Sequence, residues 1–403
     1  MTSPSIVRNQ QQTFLRLWQS VHPHVRTDHN LPARLQAVLR RREFGARDRR
    51  LYRELLYTAV RYLPWMEELG ARAETEMVRA LAWLAADAPA THGFRSALAA
   101  DCPECPATVA GRARFLGVGR ELMPEWFRGH CSAAFVSPNL DVLATRPPLW
   151  IRLQTPDAGA VREEFAERNW PVHPSSVLPT ALELLVEADL TSTRGYQEGR
   201  FEIQDLGSQF ILASAAIEAG ACWLDACAGA GGKALQLATL LGPAGRVDAY
   251  DIRPEALAEL RERARRGGFH NIRVLEQISD QATYDGVLVD APCSGSGTLR
   301  RAPHLKWCTT PAEIAAHAAR QGQLLAQLCR QVRPGGFLVY ATCSLSRAEN
   351  QAVLDAFLAG HAEFTGVPPI RAFGCPCDGA GLTILPAVHN TDGYFVGQLQ
   401  RRR

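Results

Sequence analysis

Leu224-Asp225-Ala226-Cys227-Ala228-Gly229-Ala230-Gly231-Gly232-Lys233 reads as the end of an apolar strand, a glycine-rich turn and the first residues of a helix. Glycines allow a ligand close to the backbone, and a helix N-terminus offers free N–H groups. Two better-known loops fail against it. A dinucleotide fingerprint needs G-x-G-x-x-G, and the third glycine is misplaced; a P-loop needs a first glycine where Cys227 stands and Ser or Thr where Ala234 follows Lys233. Asp251, twenty positions after Gly231, ends the next strand, where a carboxylate accepts hydrogen bonds from ribose hydroxyls in this topology. A glycine loop followed by an acidic strand end points to a nucleoside cofactor. The structural alternative is a tight turn, with Asp251 capping the helix that opens at Pro254.

Outward from this loop, strands and helices alternate from about 206, the pattern of a parallel α/β sheet. Strands are predicted at Cys222–Ala226, Val247–Asp251, Ile272–Leu275, Gly286–Ala291 and Phe337–Thr342. Helices are predicted at Lys233–Leu241, Pro254–Arg266 and Pro311–Gln331, and a last strand pair at Leu382–Leu385 and Tyr394–Leu399. Residues 140–205 read as a small α+β module, with strands at 149–153 and 182–186 around a helix over 157–168. Residues 1–135 read as helical, with apolar residues at helical spacing between Pro32 and Tyr62 and a loop near 100–115.

The chain has 403 residues, 46% of them hydrophobic, which is ample for two or three cores. Its net charge is +3. The start lacks a charged stretch followed by an apolar one, so no secretory signal is expected, and no apolar run has the length of a membrane helix. The 11 cysteines are odd in number and scattered, which argues for reduced thiols in a cytoplasm. Cys102-Pro103-Glu104-Cys105 is an isolated pair where a structural zinc site wants four ligands, so no metal is expected.

Two cysteines stand apart from the rest. Asp290-Ala291-Pro292-Cys293-Ser294-Gly295-Ser296-Gly297 follows the strand Val287-Leu288-Val289, and Tyr340-Ala341-Thr342-Cys343-Ser344 ends the strand that begins at Phe337. Ligands of open α/β sheets bind beyond the carboxyl ends of the strands, so both thiols belong in that crevice rather than in the core. A thiolate is nucleophilic, and a cation such as Lys233 lowers its pKa. Glu349-Asn350 follow early in the next helix, a capping position.

These segments resemble the RsmB/Nop/Sun family of RNA 5-methylcytosine methyltransferases. The likeness is carried by DACAGAGGK at 225–233, DAPCSGSGTLRRAPHLKW at 290–307, YATCSLSRAEN at 340–350, DGYFVGQLQR at 392–401 and FEIQDLGSQ at 201–209. Met123-Pro124-Glu125-Trp126, Arg146 to Arg152 and DRRLYRELLYTAVR at 48–61 are similar to its bacterial small-subunit rRNA subgroup. The resemblance implies a Rossmann-like class I methyltransferase domain over 206–403, behind a helical RNA-binding domain over 1–135 and the small module over 140–205. It implies S-adenosylmethionine as cofactor, held by Cys227, Ala228, Gly229, Ala230, Gly231, Gly232 and Lys233 with Asp251, Gln277 and Asp290. The implied partner is RNA, small-subunit rRNA first and tRNA as the alternative, with no membrane and a monomer as the simplest state.

For the chemistry, the resemblance implies that Cys343 attacks carbon 6 of cytosine, that Cys293 assists product release, that Asp290 holds the base and that Lys233 assists it. Two departures stand out. The family's loop reads Cys-Ala-Ala-Pro-Gly-Gly-Lys, and here Gly229 and Ala230 replace Ala and Pro, which predicts a looser turn. The family's Asp after the third strand has no clear counterpart in Val274 to Asp280; Gln277 or Asp280 takes its place. Both departures would suit a non-catalytic RNA-binding or ribosome-assembly factor, a reading opposed by the presence of both cysteines, Asp290 and Lys233.

RNA contact is expected at two basic clusters. One holds Arg34, Arg40, Arg41, Arg42, Arg47, Arg49, Arg50, Arg53 and Arg61 against Glu43, Asp48 and Glu54. The other, Arg300, Arg301, His304, Lys306 and Trp307, would line the route of an extruded base.

Overall fold

The computed structural model describes residues 3–40, 44–155 and 157–403. Arg41, Arg42 and Glu43 of the first basic cluster lie outside them. The chain forms two compact units: residues 1–146 with Thr298–Pro311, and Pro147–Gly297 with Ala312–Arg403.

In the larger unit, the runs of aliphatic residues after Ala221 are buried on both faces, which suits parallel strands covered by helices. The strands are β1 (Leu149–Leu153), β2 (Val172–Pro174), β3 (Ala181–Leu184), β4 (Phe201–Ile203), β5 (Cys222–Asp225), β6 (Arg246–Ala249), β7 (Ile272–Val274), β8 (Tyr284–Asp290), β9 (Val332–Thr342), β10 (Phe364–Val367), β11 (Cys377–Asp378), β12 (Gly381–Ile384) and β13 (Tyr394–Arg401). The main sheet runs β11-β12-β13-β9-β8-β5-β6-β7, with β10 also paired to β13. From β9 to β7 it is parallel; β13 joins β9 antiparallel. This is the Rossmann-like class I methyltransferase sheet. Predicted and observed elements differ mostly at their ends, and β9 starts five residues earlier than read, at Val332, across an irregularity opposite Tyr284–Gly286.

The small module is a four-stranded antiparallel sheet, β2-β3-β1-β4, that belongs to the same unit. It is tied to the main sheet by charge as well as by packing. Glu202 of β4, 1% exposed, accepts from Arg263 at 2.8 Å and Arg266 at 2.5 Å, both on the helix Pro254–Arg266. A buried carboxylate requires this pairing, because an unpaired one is very costly to desolvate.

The other unit is helical around one apolar core that includes Phe14, Leu55, Leu56, Trp65 and Leu81. Its loop is shorter than the 100–115 read from sequence: Thr108 accepts from Gly111 N–H and starts a helix over Val109–Leu116, ended by Gly117 at φ 62°. The segment Thr298–Pro311 is a part of this unit. Arg300, 2% exposed, donates to the Thr145 hydroxyl at 3.0 Å and the Arg146 carbonyl at 2.7 Å. Lys306 donates to the carbonyl of Arg61, and the Trp307 indole to that of Val60. These carbonyls end the helix Ala46–Arg61, where orphan acceptors need partners. Lys306 therefore closes that helix, Arg300 is fixed on Thr145 and Arg146, and Trp307 packs partly on the helical core. Arg61 is likewise buried, while Arg47, Arg49, Arg50 and Arg53 stay exposed on their helix.

Candidate active site

Strand register sets the site. On the parallel pair β8–β9, Asp290 lies opposite Ala341, so the chain leaves both strands at the same level. Cys293 and Cys343 follow three and two residues later, and their sulfurs stand 3.3 Å apart. Gly297 makes this approach possible. Its N–H donates to the Cys343 carbonyl at 2.9 Å and its own carbonyl accepts from Gly393 at 2.8 Å. A side chain there would collide with the Gly393 carbonyl and come within 2.8 Å of that of Cys343.

Glu349 fastens the two loops together. Read from sequence as a helix-capping residue, it is instead fully buried. Its carboxylate accepts from the Ser294 N–H at 2.8 Å, the Ser294 hydroxyl at 2.5 Å, the Ser344 hydroxyl at 2.7 Å and Gln321 at 3.3 Å. Asn350 joins in, accepting from Thr342 at 2.6 Å and donating to the Ser344 carbonyl at 2.9 Å. The sequence signal was the serine-rich texture of both loops, which has no apolar reason to be buried.

The contact with Cys343, together with burial and the negative charge of Glu349, pushes the pKa of Cys293 well above the ordinary thiol range. Lys233 donates to Asp290 at 2.7 Å. Burial alone would pull its ammonium down, but Asp290, with Cys343 and Asp225 adding to it, carries it above its usual value.

The glycine loop is tied rather than loose. Gly229, at φ 53°, donates its N–H to Asp251 at 2.8 Å, and the Ala230 carbonyl accepts from Arg263 at 2.7 Å. Ala228 donates to the Tyr250 carbonyl, and Gly231 takes φ 92° where a side chain would press on Leu260. Gly232 then opens the helix Gly232–Leu241. Asp251 also accepts from the Arg253 N–H and guanidinium, which hold its pKa low against the effect of burial. Cys227 sits half-buried; desolvation, with Asp225 next, pushes its thiol up to about 12, so it is no nucleophile.

Asp225, quoted but not singled out from sequence, is the group the loop surrounds. Neither carboxylate oxygen has a hydrogen-bond partner among the described residues. Burial, then Asp290, raises its pKa to about 7, with Lys233 and the Cys227 N–H as weaker counterweights. A buried carboxylate left open beside backbone-lined glycines fits a cofactor that brings donors of its own. Gln277 and Asp280 are exposed on the loop after β7, and among the described residues no hydrogen bond or ion pair holds either side chain.

Comparison with known proteins agrees with this geometry. The family described as 16S rRNA methyltransferase RsmB/F matches residues 212–400. A ribosomal RNA small subunit methyltransferase B of Klebsiella pneumoniae is 31% identical over 304 residues, covering 70% of this chain and 67% of its own. A Synechocystis relative is 34% identical over 254 residues, covering 60% of this chain; the match spans only 57% of that relative's length. Among solved structures, a methyltransferase homolog from Pyrococcus horikoshii has a TM-score of 0.57 at 24% identity, over 65% of this chain and 89% of that one. NSun6 from the same organism has a TM-score of 0.62 at 18% identity, over 69% and 97%.

Proposed function

We propose a reaction from two facts: this chain belongs to the RsmB/F family of rRNA methyltransferases, and its two strand-end thiols stand 3.3 Å apart. Membership brings S-adenosylmethionine as cofactor, which supplies the methyl group when bound. The residues suited to hold it are those of the loop 227–233 with Asp225 and Asp251. Gln277 or Asp280 stands nearest in sequence to the family's usual acid.

The reaction is methylation of carbon 5 of a cytosine in RNA. Cys343, as thiolate, adds to carbon 6 of the base; the ring's electrons shift so that carbon 5 becomes nucleophilic and takes the methyl group. Asp290 and Lys233 hold the base and steady the charge that develops on it. A base, assisted by Cys293, then takes the carbon 5 proton; the C5–H electron pair re-forms the C5–C6 double bond, the C6–S bond breaks and Cys343 leaves as thiolate. Covalent addition divides one hard step into two easier ones.

The observation that carries this assignment is the meeting of the two sulfurs, 3.3 Å apart at the ends of β8 and β9. Cys293 keeps its proton, since burial and Glu349 oppose a second negative sulfur. Cys293, 3.3 Å from Cys343, assists removal of the carbon 5 proton and the departure of Cys343 from the product. Of the two RNA classes, small-subunit rRNA is favoured by the relatives' names and by the exposed arginines of the helix Ala46–Arg61. The test is methyl transfer from labelled S-adenosylmethionine to unmodified small-subunit rRNA and tRNA side by side, followed by nucleoside analysis. Label in 5-methylcytosine from rRNA alone is expected; label from tRNA alone would keep the chemistry and change the substrate. No label from either would leave the reading as an RNA-binding or assembly factor.

A further inference from the structure

The helical unit holds a cleft of about 480 Å³, lined among others by Arg26, Arg120, Met123, Trp126, Lys306 and Trp307. It is within the size range of about 300–1,000 Å³ common to ligand sites. Lys306 is 7% exposed, and Nζ donates to the Arg61 carbonyl at 2.7 Å. An ammonium has three protons, and among the described residues no carboxylate forms an ion pair with this one. Burial, with the Arg61 guanidinium adding to it, pulls its pKa well below the usual range. A buried cation without a counter-charge costs stability, and an arriving anion removes that cost.

The rest of the cleft has the same bias. Arg26 and Arg120 share one carboxylate, Glu67, at 2.8 and 3.3 Å. Glu121 also lines it but is engaged by Arg128 at 2.8 Å. Among the lining residues, the cations Arg26, Arg120 and Lys306 thus outnumber the one carboxylate, Glu121. Trp307 spends its indole N–H on the Val60 carbonyl and keeps its ring half-exposed, with Lys306 Nζ 4.7 Å and the Arg26 guanidinium 5.7 Å from the ring centre. Cations beside an aromatic face are the means by which proteins hold single-stranded nucleic acid.

We propose that this cleft is a nucleotide subsite for the RNA, in which an unpaired base stacks on Trp307 and its phosphate is taken by Lys306, Arg26 and Arg120. The subsite rests on the reading of RNA as substrate and adds a second place where one nucleotide is gripped, separate from the residues that do the chemistry.

The test uses the full chain and two variants, Lys306→Met, which keeps the length of the side chain, and Arg120→Gln at the exposed rim. Each is expected to weaken binding of a single-stranded RNA about tenfold and to reduce the salt slope by about one, with cofactor affinity within twofold of wild type. Ultraviolet crosslinking of RNA should label the peptide that holds Trp307, and uridine 5′-monophosphate should compete better than uridine or inorganic phosphate. Unchanged RNA affinity in both folded variants would overturn the subsite, as would competition by inorganic phosphate equal to that of the nucleotide. If wild type methylates no RNA but the variants still lose binding, the subsite stands and the reaction fails. If wild type methylates RNA and the variants bind it normally, the subsite alone fails.

Discussion

The stretch 290–307 reads as one motif, yet its two halves have opposite fates. Residues 290–297 stay at the carboxyl end of β8, where serines and Glu349 surround a thiol that faces another 3.3 Å away. Residues 298–307 join the helical unit, where Arg300 and Lys306 cap carbonyls. In the first half, polar groups tie two cysteine loops together; in the second, Lys306 ends a helix and Trp307 keeps part of its ring open to a cleft. Contiguity along the chain, even inside a highly specific motif, does not establish membership of one compact unit.

The largest effect that can break this contrast lies in the thiols. Cys343→Ala should lower methyl transfer by at least about 10³-fold while RNA still binds. Cys293→Ala should instead accumulate a denaturant-resistant RNA–protein complex, because addition proceeds and release stalls. A Cys293→Ala protein that turns over without such a complex on denaturing gels would reverse the two assignments.

Asp225 sharpens the chemical side. Its folded pKa of about 7 lies above the ordinary 3.8, so the stability it contributes is complete below about pH 4 and is lost as pH rises toward and through 7. At ~1.4 kcal/mol per pH unit, the charged form costs up to about 4 kcal/mol by pH 8. Asp225→Asn should therefore raise the melting temperature at pH 8, leave it nearly unchanged at pH 4, and weaken cofactor binding. A gain equal at both pH values would remove the buried charge as its cause.

Glu349→Gln should cost about 2–3 kcal/mol in denaturant titrations, since an amide places a donor against the hydroxyls and N–H that Glu349 accepts from. Turnover should fall with it as the cysteine loops separate. Arg300→Ala is the counterpart in the second half. It should cost about 2 kcal/mol through the lost bonds to Thr145 and Arg146, with cofactor affinity unaffected in calorimetry. Loss of cofactor binding in Arg300→Ala would show that the two halves act as one after all.

Strand and helix identities in the sheet region were legible because aliphatic runs alternate with amphipathic helices, and the thiol positions followed from their places at strand ends. Glu349 and Arg263 were not legible. Each acts across a long sequence separation, Glu349 on Ser294 and Arg263 on Glu202 and Ala230, and a single charged residue in a helical pattern looks like a solvated one. Asp225 was visible in the loop, but its burial with only weak counterweights from Lys233 and the Cys227 N–H is a property of what packs around it.

By itself, the sequence determined the elements, the glycine loop and the chemical types at the site, because hydrophobic period, backbone freedom and thiol reactivity are local properties. Only the tertiary structure decided that β8 and β9 run in a register with Asp290 opposite Ala341. It also decided that Glu349 is buried between Ser294 and Ser344 of the two cysteine loops, and that residues 298–311 belong to the helical unit. Register, burial and the pairing of charges depend on which distant residues meet, and those meetings set the local dielectric and the free hydrogen-bonding groups from which reactivity follows.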